Sequence, residues 1–100
     1  MRAIRVPEFG GPEVLRLEDV PDPVPGPRQV VVELRAVGVN PVETYVRAGT
    51  YPILPALPYT PGTDGAGVVV AAGPDAPFAV GARVFTFWTA RGTYAERILC

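Results

Sequence analysis

The chain has 100 residues, 48% of them hydrophobic and 19% charged, with Gly 11, Pro 13 and a formal net charge of -1. That describes one domain spanning residues 1–100, too short for two. A chain of this length buries about 60 to 65% of its unfolded surface, enough for a modest core. Basic and acidic residues number 9 and 10, so no charge footprint for nucleic acid or an anionic membrane is present.

Missing residue types exclude more. There is no His, Ser or Lys, which removes a Ser/His or Cys/His triad, a Schiff-base or Walker lysine and an imidazole metal ligand from this chain. Cys100 is the one cysteine, so neither an intrachain disulfide nor a multi-cysteine zinc site can form, and a reducing, cytoplasmic setting is expected. The N-terminal MRAIRVPEFGG turns polar before an apolar segment develops, and no run of about 18 apolar residues occurs. Neither export nor membrane insertion is expected.

Arg2 to Val6 alternates, with Arg2, Ile4 and Val6 on one side and Ala3 and Arg5 on the other, and predicts a short strand ending at Pro7. Turn residues 9–13 lead into Val14 to Val20, expected as the returning strand of a hairpin. Residues 22–27, DPVPGP, lack the donors a sheet needs and predict an extended surface connection. Gln29 to Val39 carries the longest strand pattern, with Val30, Val32, Leu34 and Ala36 on the core face and Val31, Glu33, Arg35 and Val37 on a half-wet one.

The one clear helix follows. Asn40 is placed as N-cap, Pro41 at the first helical position, Glu43 at the capping-box position and Gly49 as the stop. Val42, Tyr45 and Val46 share its buried face by spacing, and Glu43 is placed to pair with Arg47 one turn on. Tyr51 to Pro61 contains four prolines and predicts a stiff extended crossover, in which one X-Pro bond can be cis. Strands are expected at Gly65 to Ala72, Val80 to Phe87 and Thr93 to Leu99, separated by turns at 73–75 and 90–92. The fold class is therefore mainly β, a small, partly open barrel with one short helix.

Residues 62–67, GTDGAG, mimic a phosphate loop, but the glycines run G-x-x-G-x-G into Val68-Val69-Val70, a strand rather than a helix N-terminus. A tight bend where backbones approach closely explains them better. Asn40 is the only asparagine. Its cap role alone accounts for it, at about 1 kcal/mol, yet capping through the oxygen leaves the amide nitrogen to donate to a bound carbonyl. Tyr45 reads as core or as a hydroxyl needing a partner, Tyr51 as a lid or a surface aromatic, and Thr63 and Asp64 as turn or site residues.

Four collinear segments, RAIRVPEFGGPEVL, VGVNPVETYVRAGTYP, LPYTPGTDGAGVV and VGARVFT with GTYAERIL, resemble the N-terminal part of the medium-chain dehydrogenase/reductase superfamily, in particular zeta-crystallin-type NADPH:quinone oxidoreductases. The resemblance runs over nearly the whole chain. It implies a GroES-like β-barrel facing a Rossmann domain across an active-site cleft. Zinc alcohol dehydrogenases of that superfamily carry a cysteine where Asn40 stands and a His-Glu pair where Thr63-Asp64 stand, and an amide and a hydroxyl cannot replace thiolate and imidazole.

The resemblance therefore implies metal-free hydride transfer from NADPH to a quinone or related activated carbonyl. Asn40 and Tyr51 would be catalytic, and Tyr45, Asn40 and Thr63 would bind the cofactor. It further implies that the Rossmann domain holding the nucleotide phosphates is missing here, that the 100-residue chain alone has little or no turnover, and that the full-length protein is a homo-oligomer. A free-standing co-chaperonin-like binding module is the alternative from another class, though the stiff proline crossover replaces a mobile loop. RNA binding, known among zeta-crystallin relatives, is opposed by the absence of a basic run.

Overall fold

The computed structural model describes residues 1–89 and 91–100. Its strands are β1 (Arg2–Arg5), β2 (Arg16–Asp19), β3 (Val30–Val37), β4 (Asp64–Ala72), β5 (Arg83–Phe87) and β6 (Arg97–Leu99), with one α-helix, α1 (Pro41–Ala48), between β3 and β4. β1 and β2 form an antiparallel hairpin, and the other strands form a four-stranded antiparallel sheet in the order β5-β4-β3-β6. Isolated bridges Ala3–Ala95 and Val6–Tyr59 join the hairpin to the rest. Among the described residues no continuous ladder closes the two sheets, so the barrel stays open there.

The core follows from β3 being central. Val32 is fully buried and pairs directly with Val69 on β4 and with Ile98 on β6; these three and Val30 form the buried cluster. Full burial of each aliphatic side chain contributes about 1.5–3 kcal/mol. The alternation expected of β3 places Val30, Val32 and Leu34 on the core side as observed, but Val31, expected on the half-wet face, is buried too, beside a register shift between Val31 and Val32. A register shift between Leu34 and Ala36 then breaks it, so Ala36 is exposed rather than on the core face.

Several boundaries move for identifiable reasons. Val14 belongs to a 3-10 turn, Pro12–Val14, in which Leu15 N–H reaches Pro12 carbonyl at 3.1 Å, and strand pairing begins only at Arg16. Val6 leaves β1 to pair with Tyr59, donating at 2.8 Å, so the buried residues here are Ala3 and Val6 and not the alternate set. The last two strands are shorter than the apolar pattern, at Arg83–Phe87 and Arg97–Leu99. Ala90, in the expected 90–92 turn, lies outside the described residues.

The crossover has no helix or strand of its own, and its Leu57–Pro58 bond is cis. Gly67 shows why the glycine-rich run is a packing feature. A Cβ there would run into the Glu33 carbonyl on the paired strand β3. Only residues 62 and 63 lead into β4; residues 64–67, expected within the bend, already lie in that strand, as its valines require.

Candidate active site

Helix α1 starts where the sequence signals put it. Its N-cap is Asn40 in an extended conformation, Pro41 opens the helix, and Gly49 ends it at φ 77, in the left-handed region that glycine tolerates. The capping box forms, with the Asn40 backbone N–H donating to Glu43 Oε2. Beside it, Gly38 N–H donates to the Asp64 carbonyl at 3.0 Å, which brings the end of β3 to the start of β4. Asn40 thereby meets Thr63 and Asp64 across more than 20 residues.

Tyr94 arrives from the other side. Its backbone N–H donates to the Pro61 carbonyl at 2.9 Å, and Gly62, at φ 109, makes room for the approach. A Cβ on Gly62 would strike Thr93 and would lie 2.9 Å from the Tyr94 ring. The Tyr94 hydroxyl then donates to Glu43 Oε2 at 3.1 Å.

Glu43 is the hub. It is 7% exposed, and its Oε1 accepts from the Thr63 N–H at 3.1 Å and the Thr63 hydroxyl at 3.0 Å. The same oxygen accepts from the Asn40 amide nitrogen at 3.2 Å. Every partner is a donor, so the carboxylate acts purely as an acceptor. Burial, the Glu43 charge and the hydrogen bond to it push the Tyr94 phenol up to about 12, so that it keeps its proton.

The Asn40 amide nitrogen also donates to Asp64 Oδ1 at 2.6 Å and to Thr63 Oγ1 at 3.0 Å. Two carboxylates and a hydroxyl surround that nitrogen; the opposite amide orientation would set oxygen against oxygen. The nitrogen is thus fully used within the protein, contrary to the expectation that it is free to donate to a ligand.

The remaining expected residues divide. Tyr51 and Thr63 line a hollow of about 1250 Å³ that also reaches Glu43. Asn40 and Tyr45 do not line it. Tyr45, expected on the buried helix face, is 53% exposed, because α1 turns its Glu43 side toward the protein. The expected Glu43–Arg47 pair does not form: the Glu43 oxygens are taken by nearer donors, and Arg47 Nε donates to the Gly10 carbonyl at 3.3 Å. Trp88 stands at the wall of the hollow, its backbone N–H on the Thr63 carbonyl at 2.8 Å and its φ at 54.

Sequence reasoning missed Tyr94 and the burial of Glu43. A glutamate at the third helical position ordinarily marks a solvated cap, and no spacing marks a tyrosine whose partner lies 51 residues earlier.

Among known proteins, the alcohol dehydrogenase GroES-like domain family matches residues 26–99. The chain belongs to that family. This GroES-like domain is 57% identical to human quinone oxidoreductase over 99% of its own length and 31% of the relative's. It superposes on the NADPH complex of Escherichia coli quinone oxidoreductase with a TM-score of 0.92 at 34% identity, covering 99% of this domain and 30% of that chain. The human synaptic vesicle membrane protein VAT-1 homolog-like protein gives a TM-score of 0.93 at 31% identity, covering 100% and 32%. The domain thus spans about a third of the length of the proteins it resembles. No helix of the described residues is long and apolar enough to cross a membrane.

Proposed function

We propose that this domain forms the acceptor side of an NADPH-dependent quinone reductase. The observation that carries the reading is the convergence of Asn40, Glu43, Thr63 and Asp64 beside a hollow lined by Tyr51, in a domain 57% identical to a quinone oxidoreductase. When bound, NADPH supplies a hydride to the acceptor carbonyl system. Tyr51 donates a hydrogen bond to the acceptor oxygen as negative charge grows there. Thr63 and Asn40 hold the nicotinamide end, and Tyr45 meets the cofactor from the exposed face of α1. Positioning of this kind needs neither a nucleophile nor a metal.

A metal-free reaction is supported by the saturation of Glu43 with N–H and O–H donors. The nucleotide phosphates and ribose are held by a Rossmann domain of the longer polypeptide, which assembles as a homo-oligomer. Coverage of only 31% of the human relative supports such a partner domain. The single cysteine supports a cytoplasmic setting.

The test is NADPH oxidation by the full-length protein with 1,4-benzoquinone, read as loss of nicotinamide absorbance. Turnover in the full-length protein and none in residues 1–100 is expected. Absence of quinone-dependent oxidation in the full-length protein overturns the reading. A stand-alone binding module gains no support, as no feature of the structure favours it.

A further inference from the structure

The chain breaks its regular pattern where β5 ends. Phe87 is the last residue of that strand, and Trp88, the only tryptophan, follows with φ at 54, a left-handed conformation that a bulky residue rarely enters. The Trp88 N–H holds it there by donating to the Thr63 carbonyl at 2.8 Å. Burial does not repay the strain, because Trp88 stays 58% exposed. Its N–H is spent and the indole is the larger part of the residue, so what Trp88 leaves open is chiefly an apolar ring.

That ring is braced. Phe87 packs edge to face against it, with 5.7 Å between centroids and 76° between planes. Trp88 lines the hollow and Phe87 does not, so the brace stands outside the space that Trp88 borders. The crossover brings Tyr51, Ile53 and Leu54 to the same hollow, and Ile53 and Leu54 are exposed. Flat and branched apolar surface gathered around one concavity fits a flat apolar ligand.

We propose that Trp88 is a specificity-determining residue, its indole a stacking platform for the acceptor ring that selects planar fused-ring quinones over single-ring ones. The inference rests on the functional reading above and adds which acceptors within that class the site prefers. Stacking grows with the overlap of two flat faces, so a second fused ring gains contact that a one-ring quinone does not make. Phe87 and the Thr63 carbonyl act through Trp88, by fixing the direction of its ring.

The test is kcat/KM of the full-length protein with 1,4-naphthoquinone and with 1,4-benzoquinone, which share the quinone head and differ by one fused ring. Intrinsic reactivity differs between the two but is the same for every variant, so the ratio is compared between variants. In Trp88→Ala the naphthoquinone-to-benzoquinone ratio should fall about fivefold, the worth of one aromatic contact. Trp88→Phe keeps a flat face and should hold the ratio within about twofold of wild type. Should the alanine variant not fold, Trp88→Leu serves, because it keeps apolar bulk and loses the plane; the same fall is expected.

A general loss of stability lowers both quinones together and leaves the ratio intact. A ratio that moves less than about twofold on loss of the aromatic ring, or a phenylalanine variant as poor as the alanine or leucine one, overturns the platform while the functional reading stands. Absence of NADPH oxidation with either quinone in the wild type overturns that reading and the platform with it.

Discussion

Removing the Glu43 carboxylate by Glu43→Ala separates a solvated capping glutamate from a buried hub. A capping-box residue on the surface is worth about 1 kcal/mol. Here the substitution strands the Asn40 and Thr63 backbone N–H groups and the Tyr94 hydroxyl, whose bonds run to Glu43 Oε2, Oε1 and Oε2. The Thr63 hydroxyl and the Asn40 amide nitrogen keep Asp64 as a second acceptor and are not counted. At about 1 kcal/mol for each stranded donor, the low end because the cluster borders a hollow that admits water, the loss is about 3 kcal/mol. That is a large part of a typical total of about 5–15 kcal/mol. Urea unfolding of the single variants and of Glu43→Ala with Tyr94→Phe reads both the loss and a coupling of about 1 kcal/mol between the two residues. A loss of about 1 kcal/mol or less with no coupling would refute the hub.

Three further outcomes are expected. Asn40→Asp preserves a good N-cap residue but sets a third carboxylate where the amide nitrogen now lies 2.6 Å from Asp64 and 3.2 Å from Glu43. It should cost about 1–3 kcal/mol at neutral pH, with the deficit shrinking on acidification because crowded carboxyls keep their protons in the folded state. The Tyr94 phenol sits at about 12 when folded, against about 10 for an ordinary tyrosine, so the unfolded chain loses this proton first as pH rises. Stability from this residue is whole below about pH 10 and falls as pH climbs toward 12, by about 1–2 kcal/mol after solvent screening, a slope that Tyr94→Phe should remove in alkaline urea titrations. Gly67→Ala drives a methyl into the Glu33 carbonyl of the neighbouring strand and should lower stability by about 1–3 kcal/mol in thermal melts.

Much of the architecture is legible without coordinates. The hairpin, the long β3, the capped helix and the valine-rich β4 all follow from local rules: alternation, caps and prolines that forbid regular structure. The glycine-rich run reads correctly as a place of close backbone approach beside a strand, although that strand already begins at Asp64 inside the run. The candidate site is legible in outline, since Asn40 and Thr63 do come together, at 3.0 Å. Its hub is not. A helical wheel puts Tyr45 with the apolar residues, and only the docking of α1 against the Thr63 and Tyr94 segments shows that the helix buries a carboxylate and leaves the tyrosine half out.

Local sequence by itself determined which elements form and in what order, and the ends of the capped helix, because caps, turns and alternation act over a few residues and need no partner. Strand ends moved with non-local pairing. Sequence likewise determined which chemical groups are available. Only tertiary structure decided which way those groups point. The direction of each proton in the Asn40, Glu43, Thr63 and Asp64 cluster depends on acceptors that lie 20 or more residues apart in the chain and become neighbours only when β3, α1 and β4 pack. A buried carboxylate demands donors wherever the fold can supply them, and that demand sets the polarity of everything around it.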